Sequence, residues 1–471
     1  MKEFSVTALA QIIKADLNRN IGTFTRVSSD SRTVQAGDCF FAIPGENFDG
    51  HDYVAQAFAK GAVCAVVSRD IDPKTVGDKP LLKVADTVRA LGDLAREYRR
   101  QSGFKVVAIT GSVGKTTTRQ ITHHVLSRHF RVKQSPKSFN NQIGVPLTLL
   151  SAEPDDQIVV AELGTNHPGE IAYLTRIALP DVAVVTNVQP AHLEGFGTLD
   201  AIAHEKLSIA DGLAAGGTLI INGDSDLLAK ICRAKGIGFR TFGTTEGCDY
   251  RVSDTRFEGL GSWFRLDGAE VQLPLPGPGN VENAAAAWAV CSQFGLTARD
   301  FAEAVKTLTS PAMRAEIMQI GTLTVLNDCY NANPASMRNA LQILRNIEPG
   351  TSRRRVFICG EMAELGPQAG QLHAELASSI VDAGVELVLA VGPLARIAGE
   401  AAINAAPKTA HTRKLLRAEF FADVASACKN LRHFIRDYDI ILVKGSRRAS
   451  LEVVVEKLRE LFAQRSEPTP R

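Results

Sequence analysis

The chain lacks paired cysteines, a long apolar run and an excess of either charge. Its eight cysteines are scattered over 471 residues without a Cys-x-x-Cys pair, which excludes a disulfide scaffold or a zinc ribbon and favours reduced thiols. No apolar run approaches the roughly 20 residues that span a bilayer, and the first residues lack a signal-peptide core. The 53 basic and 51 acidic residues nearly cancel, so charge offers no case for a nucleic-acid or membrane partner. These absences predict a cytoplasmic protein.

Three units can be separated by pattern, in an α/β protein of three domains. Residues 1–98 read as a small mixed α/β domain, in which strand-like CFFAI and AVCAVVS alternate with glycine turns. In residues 99–311 the apolar strands VVAIT, IVVAEL, VAVVTNV and TLIIN alternate with helices, which predicts a parallel sheet covered on both faces. Residues 312–471 predict a second, Rossmann-like α/β sheet. It has no G-x-G-x-x-G, which disfavours NAD.

The run KVVAITGSVGKTTT, residues 105–118, predicts a phosphate cradle. A strand leads into a glycine turn, where backbone N–H groups and a helix N-terminus can approach phosphate oxygens. Lys115 can reach the β- and γ-phosphates, and the Thr116 hydroxyl can bind Mg²⁺. The turn begins at Gly111, because Ile109 occupies the place of the usual first glycine. The alternative is a glycine turn that merely caps a helix.

Two neighbouring strands end in polar groups that suit the same edge of the sheet. Glu162 ends IVVAEL, and His192 follows VAVVTNV after a short loop. A carboxylate and an imidazole at this edge can hold Mg²⁺ near the γ-phosphate, although Mg²⁺ prefers oxygen. The residues alone leave His192 open between loop packing and metal binding.

Lys206 lies on the apolar face of the helix DAIAHEKLSIADGL, which we expect to begin after an N-cap at Asp200. Burial of the ammonium group would lower its pKa. A neutral lysine can react with CO₂ to form a carbamate, an anion that binds metal. The alternative is that the stem is buried while the ammonium group reaches water.

The outer domains contribute further candidates. Asp328 ends a predicted strand where it can bind a ribose, and Arg314 can reach a phosphate from the neighbouring domain or pair with Glu316. Other polar groups have both a structural and a functional interpretation, as turn formers or basic turns on one side and ligand contacts on the other: Asn331, Asn333, Lys444 and Arg447. In the first domain Ser29, Ser31 and Arg32 suit a diphosphate, unless an Asp30–Arg32 pair simply closes a turn.

Eight ordered segments make the chain resemble the Mur ligases of peptidoglycan synthesis. They are DSRTVQAGDCFFAIPGENFDGHDY, TGSVGKTTT, NNQIGVPLTLL, AELGTNHPGEI, TNVQPAHLEGFG, YNANPASM, GEMAELG and LVKGSR. The Asp-Asn-Pro-Arg signature of the relative that adds the third amino acid is absent. The resemblance therefore implies the family member that joins D-alanyl-D-alanine to UDP-N-acetylmuramoyl-tripeptide, through an acyl phosphate and with release of ADP and phosphate.

The resemblance also implies roles for individual residues. ATP would be bound by Gly111, Ser112, Val113, Gly114, Lys115, Thr116, Thr117, Asn283 (adenine), Arg314 (phosphate) and Asp328 (ribose). Two Mg²⁺ ions would be held by Thr116, Glu162, His192 and a carbamylated Lys206, with Lys115, Glu162, His192 and Lys206 catalytic. The UDP-linked tripeptide and the dipeptide would contact Ser29, Ser31, Arg32, Asn140, Asn141, Asn331 and Asn333.

A cytoplasmic monomer is expected, and two rivals stay open. One is a nucleotide-dependent switch whose outer domains bind a protein. The other is a kinase acting on a small metabolite, which would release no inorganic phosphate. Neither rival needs D-alanyl-D-alanine, so dependence on that dipeptide separates the three.

Overall fold

A computed structural model describes residues 1–18, 22–191, 193–406 and 416–463. The expected α/β class is confirmed, with one two-stranded, one five-stranded, one six-stranded and one nine-stranded sheet. All eight cysteines are free thiols. Within the described ranges, no helix combines the length and apolar character needed to cross a membrane.

The N-terminal part is a small mixed domain. Its elements are β1 (Phe4–Ser5), α1 (Val6–Ile13), β2 (Asp16–Leu17), β3 (Thr23–Phe24), β4 (Arg26–Ser28), β5 (Asp38–Phe41), a 3₁₀ turn (Gly50–Tyr53), α2 (Val54–Ala59), β6 (Cys64–Val67), α3 (Pro73–Val76), β7 (Leu81–Lys83) and α4 (Thr87–Gln101). Strands run in the order β2-β7-β6-β5-β4, and only β2 is antiparallel to its neighbour. The boundary expected between residues 98 and 99 falls inside α4, so this helix connects the first sheet to the second.

The central part is built on the nine-stranded sheet. Its elements are β8 (Lys105–Thr110), α5 (Lys115–Leu126), β9 (Val132–Gln134), α6 (Gly144–Leu150), β10 (Ile158–Glu162), α7 (Glu170–Ala178), β11 (Val182–Val185), α8 (Leu193–Phe196), α9 (Leu199–Leu207), a 3₁₀ turn (Ser208–Gly212), β12 (Thr218–Asn222), α10 (Asp226–Ala234), β13 (Arg240–Gly243), β14 (Tyr250–Glu258), β15 (Gly261–Leu266), β16 (Ala269–Leu273), α11 (Pro278–Ser292) and α12 (Ala298–Val305).

Strand order in this sheet is β16-β15-β14-β13-β12-β11-β8-β10-β9. The strands from β9 to β14 in this order are parallel, as the continuous apolar sequences of β8, β10, β11 and β12 predict for those four. β14, β15 and β16 form an antiparallel meander that the sequence did not predict. β8 lies between β10 and β11, so the connections on its two sides diverge. In open α/β sheets this divergence creates the ligand crevice at the carboxyl ends of the strands.

The C-terminal part carries the six-stranded sheet. Its elements are β17 (Glu316–Ile320), β18 (Leu323–Asn327), α13 (Pro334–Asn346), β19 (Arg355–Gly360), a 3₁₀ turn (Gly366–Gln368), α14 (Ala369–Ala374), α15 (Ala377–Asp382), β20 (Val385–Val391), α16 (Pro393–Ala405), β21 (Arg417–Phe421), α17 (Val424–Phe434), β22 (Ile440–Lys444), a 3₁₀ turn (Arg447–Ala449) and α18 (Glu452–Phe462). The order is β17-β18-β22-β19-β20-β21, with only β17 antiparallel.

Three helices begin close to the site, and one of them starts before the cap that we expected. α9 is capped by Thr198, whose hydroxyl accepts from the Ala201 N–H, so the N-cap expected at Asp200 is wrong. α11 begins at Pro278 after Gly277, and Asn280 lies within its first turn. For α13 the N-cap is Asn333, and Ser336 completes a reciprocal capping box. Thr198 and Asn333 have the extended backbone that a side-chain cap requires, whereas Gly277 precedes α11 with a positive φ and no side chain.

Candidate active site

A cavity of about 1430 Å³ lies where the three parts of the chain meet. The first contributes Pro44 and Ser68, the central part the phosphate loop, and the third Arg314 and Asp328. The loop joins β8 to α5 at the carboxyl edge of the central sheet. The phosphate loop and Glu162, which was expected at this edge, therefore face one shared space.

Close backbone contacts explain the glycines of the phosphate loop. Gly111 and Gly114 have φ angles of +146° and +88°. A Cβ atom on Gly111 would lie 1.9 Å from the Thr186 hydroxyl, and one on Gly114 would lie 2.0 Å from Oδ1 of Asn283. Only glycine fits either position.

Neighbouring groups hold the loop in place before any ligand binds. Asn187 accepts from the N–H of Ser112 at 3.0 Å and of Val113 at 2.9 Å. The Lys115 ammonium donates to the Gly111 carbonyl at 2.7 Å. Burial lowers the pKa of Lys115; the charge of Glu162 opposes this shift and that of Arg314 adds to it.

Glu162 is the acidic centre of the site and is 1% exposed. Its Oε2 accepts from the Thr116 hydroxyl at 2.8 Å, and its Oε1 accepts from the Asn140 amide at 2.9 Å. A hydroxyl and a carboxylate oxygen in contact are hard donors of the kind that Mg²⁺ prefers, so these residues fit a magnesium ion. Thr117, the next residue, is buried in the first turn of α5.

Lys206 is buried, which decides against an ammonium group that reaches water. It is 2% exposed. Burial lowers its pKa far below the usual range, and the charge of Lys115 lowers it further, against the opposing charges of Glu205 and Glu170. The amine is therefore disposed toward the neutral, nucleophilic form. His192 lies outside the described residues.

Asn283 packs against the phosphate loop. It is 8% exposed, its Oδ1 accepts from the Thr118 hydroxyl at 3.3 Å, and its Nδ2 donates to Asn280 at 3.3 Å. It also borders the cavity. Its adenine contact stays a prediction.

The third part of the chain contributes Asp328, a carboxylate that is fixed by hydrogen bonds. Asp328 accepts from the Lys444 ammonium at 2.6 Å and from the Ala315 N–H at 3.0 Å. Lys444 is 1% exposed and also donates to the carbonyl oxygen of Asn331. It is therefore a buried anchor of Asp328 and not a solvated basic turn, and the carboxylate retains lone pairs for a hydroxyl ligand.

Arg314 stacks on an aromatic ring and does not pair with Glu316. Its guanidinium lies 4.1 Å from the centre of the Tyr330 ring, and the Tyr330 hydroxyl bonds to Ser138 of the central part. The Glu316 carboxylate accepts instead from the Met313 N–H and the Asn327 amide. The guanidinium N–H groups stay available at the cavity wall.

The asparagines expected to contact substrate border the cavity but have structural partners. The Oδ1 atom of Asn141 accepts from the N–H of Gly144 at the start of α6, and Oδ1 of Asn331 from that of Ala332. Asn333 caps α13. Asn140 holds both Glu162 and the N–H of Gly164. Their substrate contacts stay predictions.

The described residues that line the cavity do not include Ser29, Ser31 or Arg32. Arg32 is 85% exposed and pairs with Asp30, as the structural alternative proposed, and the Ser31 hydroxyl donates to Gln56. The first domain instead approaches the cavity through Ser68 and the start of α4, from Asp86 to Arg89. Contact of Ser29, Ser31 and Arg32 with a diphosphate stays a prediction.

Four residues of the site were not predicted from the sequence. Glu205 is buried and binds N–H groups at the start of α7, Tyr330 carries Arg314, and Arg119 lies 3.7 Å from Glu162. Glu282 borders the cavity, and burial with the nearby charge of Asp224 raises its pKa to about 6. Of these four residues only Arg119 could have been identified from the sequence, because it follows Lys115 by four residues and so lies on the same helix face.

Family models match the whole architecture. The Mur ligase family catalytic domain matches residues 23–99, the Mur ligase middle domain residues 109–291, and the Mur ligase glutamate ligase domain residues 313–447. The three-domain α/β description is thereby confirmed.

Full-length relatives agree. UDP-N-acetylmuramoyl-tripeptide–D-alanyl-D-alanine ligase of Escherichia coli is 35% identical over 98% of this chain and 99% of its own, and that of Bacillus subtilis 34% identical over 92% and 93%. A crystal structure of MurF from Acinetobacter baumannii is 32% identical with a TM-score of 0.87 over 98% of this chain and 99% of its own. MurF ligase from Thermotoga maritima in complex with ADP is 27% identical with a TM-score of 0.80, over 94% and 98%.

Proposed function

The chain belongs to the Mur ligase family, and from that premise we infer that it joins D-alanyl-D-alanine to UDP-N-acetylmuramoyl-tripeptide with ATP. The products are UDP-N-acetylmuramoyl-pentapeptide, ADP and phosphate, in the synthesis of peptidoglycan precursors. One observation carries the inference from the structure. The phosphate loop opens into a single cavity walled by all three domains, which can bring a nucleotide and two further substrates together. Relatives that bear this activity in their names match the chain from end to end.

The reaction has two steps. A carboxylate oxygen of the tripeptide bonds to the γ-phosphorus of ATP while the bond to the β-phosphate oxygen breaks, and ADP leaves. The dipeptide amine, having released a proton, then bonds to the acyl carbon as the carbon–oxygen bond breaks and phosphate leaves. Lys115 and the first N–H groups of α5 lie where they stabilise the charge of the transferring group.

The buried site also protects the acyl phosphate from water. Asp328, held by Lys444, can accept hydrogen bonds from the ribose, and Arg314, held by Tyr330, can donate to a phosphate. These two groups belong to the third domain, whereas the phosphate loop belongs to the second. We therefore propose that the domains close on ATP.

We further propose that Thr116, Glu162, His192 and a carbamylated Lys206 hold two Mg²⁺ ions. The ions supply Lewis-acid neutralisation of the phosphate charge. The contact of Thr116 with Glu162 supports the first site. Burial, which lowers the pKa of the amine, supports carbamate formation at Lys206.

We place the reaction in the cytoplasm, because its substrates are nucleotides and the eight cysteines are free thiols. A monomer suffices, because the cavity draws its walls from one chain.

Phosphate release tests the function. The enzyme is incubated with ATP and UDP-N-acetylmuramoyl-tripeptide, with and without D-alanyl-D-alanine, and the peptide product is identified by mass spectrometry. We expect release to depend on the dipeptide and to match the pentapeptide formed. Dipeptide-independent release would favour a nucleotide switch, and transfer to a metabolite without free phosphate would favour a kinase. Either outcome would reject the ligase.

A further inference from the structure

Arg119 is a buried cation to which the proposed reaction assigns no role. It lies on α5, one helical turn after Lys115, and is 5% exposed. Its Nε and NH1 atoms are buried and have no hydrogen-bond partner among the described residues. Buried donors without partners are costly and rare in folded proteins. A group of this kind next to a ligand cavity indicates a function that requires the charge.

The nearest acid does not satisfy this guanidinium. Oε2 of Glu162 lies 3.7 Å from Nε of Arg119, which is an ion-pair distance but too long for a hydrogen bond. The same carboxylate already accepts from Thr116 and Asn140. Glu162 thus balances the charge of Arg119 while its lone pairs are directed elsewhere.

The surroundings of Glu162 carry an excess of positive charge. Arg119 and Lys115 are each influenced by the charges of both Glu162 and Arg314. Lys115, Arg119 and Arg314 are therefore three cations that lie close enough to influence one another, and Glu162 is the carboxylate that opposes them at Lys115 and Arg119. Moreover, across the described residues no three His, Cys, Asp or Glu side chains come together in a group that could hold a metal. A free divalent cation meets repulsion here, whereas a polyphosphate meets attraction.

We propose that Arg119 makes divalent-cation binding at Glu162 and Thr116 depend on prior or simultaneous binding of the nucleotide. The proposal rests on the inferred ATP-dependent function and adds an order of loading to it. Without nucleotide, Arg119 keeps the site too positive for a metal ion. With a nucleotide, the phosphate charge exceeds that of the three cations, and the metal ion enters with it. Arg119 is thus a selectivity element that acts through charge, outside the groups that touch the reacting atoms.

If Arg119 has this role, its replacement should strengthen the binding of the metal ion and weaken the binding of the nucleotide. Free Mn²⁺ is measured by electron paramagnetic resonance, and ADP affinity by calorimetry in EDTA, both in CO₂-depleted buffer so that Lys206 stays an amine. For Arg119→Met we expect Mn²⁺ alone to bind at least about tenfold more tightly and ADP in EDTA to bind about tenfold more weakly, a factor that corresponds to about 1.4 kcal/mol. Arg119→Lys keeps the charge and should stay within about threefold of wild type in both assays.

Arg128→Met is the matched control, because Arg128 follows the same helix and is exposed, with Thr307 as its partner. It should leave both affinities unchanged. If Arg119→Met weakens both ligands, the residue is merely structural and the proposal is wrong; unchanged affinities reject it as well. Wild type provides a test without any variant: Mn²⁺ that binds equally well with and without ADP overturns the proposal. Dipeptide-dependent phosphate release would survive either failure.

Discussion

Glu205 is predicted to hold the wall of the cavity behind the phosphate loop. The carboxylate is 7% exposed. One oxygen accepts from the Gly169 N–H at 2.7 Å, and the other accepts from the Ile171 N–H at 2.9 Å and the Thr165 hydroxyl at 3.3 Å. Gly169 and Ile171 begin α7, so the acid also compensates the positive end of that helix. Residues 164–166 and 168–170 border the cavity, which couples this acid to the site.

The loss of stability expected for Glu205→Gln can be calculated from these hydrogen bonds. An amide offers one acceptor oxygen, so the other side of the group turns an NH₂ toward a backbone N–H that loses its partner. A hydrogen bond to a charged group contributes about 1.5–3 kcal/mol, and the helix-dipole interaction adds about 0.3–1 kcal/mol. We therefore expect Glu205→Gln to destabilise the central domain by about 2–4 kcal/mol. At about 2–4 °C per kcal/mol for a domain of this size, the melting transition should fall by about 4–16 °C.

Scanning calorimetry of wild type and Glu205→Gln measures the shift. Asp200→Asn is the control, since Asp200 lies on the same helix, is 66% exposed and pairs with His204 only at 3.5 Å; it should move the transition by less than about 2 °C. The turnover number of Glu205→Gln should fall as well, because the loop that it anchors borders the substrates. A transition within 1 °C of wild type would refute the reasoning about the buried carboxylate.

Four further predictions concern the same site. Lys206→Ala should lose most phosphate release, and added short carboxylic acids should restore part of it by replacing the carbamate; wild-type turnover in the variant excludes a carbamate. Since the pKa of Lys206 is lowered in the folded state, the unfolded chain binds the extra proton between that value and about 10.4, and stability rises with pH across this window. Lys206→Met should therefore melt higher than wild type at pH 7, with a gap that closes toward pH 10. Gly114→Ala should abolish nucleotide binding in calorimetry, because its Cβ would lie 2.0 Å from Asn283, whereas Gly103→Ala, at a position with open space, should not. X-ray scattering should show a smaller radius of gyration with nucleotide and tripeptide bound, and identical profiles would reject domain closure.

The central sheet was predictable because its strands are apolar throughout. β8, β10, β11 and β12 all lie where continuous hydrophobic runs placed them, since strands buried on both faces tolerate few polar side chains. The meander β14–β16 escaped prediction for the opposite reason. β14 carries Arg251, Asp254 and Glu258 on a largely solvated ribbon, and alternating polar strands of this kind resemble loops.

Partners that are distant in sequence could not be predicted from it. Periodicity placed Lys206 on the buried face of its helix, and the structure confirms that burial. The contacts of Glu205, its neighbour, could not be predicted without knowing that α7 begins opposite α9. Likewise Lys444 is 116 residues from the acid that it holds. A spacing rule describes one helix or strand, whereas these contacts depend on the packing of several.

The distribution of unsatisfied polar atoms connects the fold to the chemistry. Seven buried side-chain atoms lack a hydrogen-bond partner in the described part of the chain, and five of them lie on β8, α5 and β9: Thr110 Oγ1, Arg119 Nε and NH1, Thr122 Oγ1 and Gln134 Oε1. β8 and α5 flank the phosphate loop, whereas β9 lies beyond β10 at the edge of the same sheet. A fold under selection for stability alone would replace such groups with apolar ones, since removal of both members of a polar contact is nearly neutral while one orphan costs about 1–3 kcal/mol. Of the five atoms only those of Arg119 belong to a charged group, and the position of Arg119 one helical turn after Lys115 indicates that this charge is retained for a ligand.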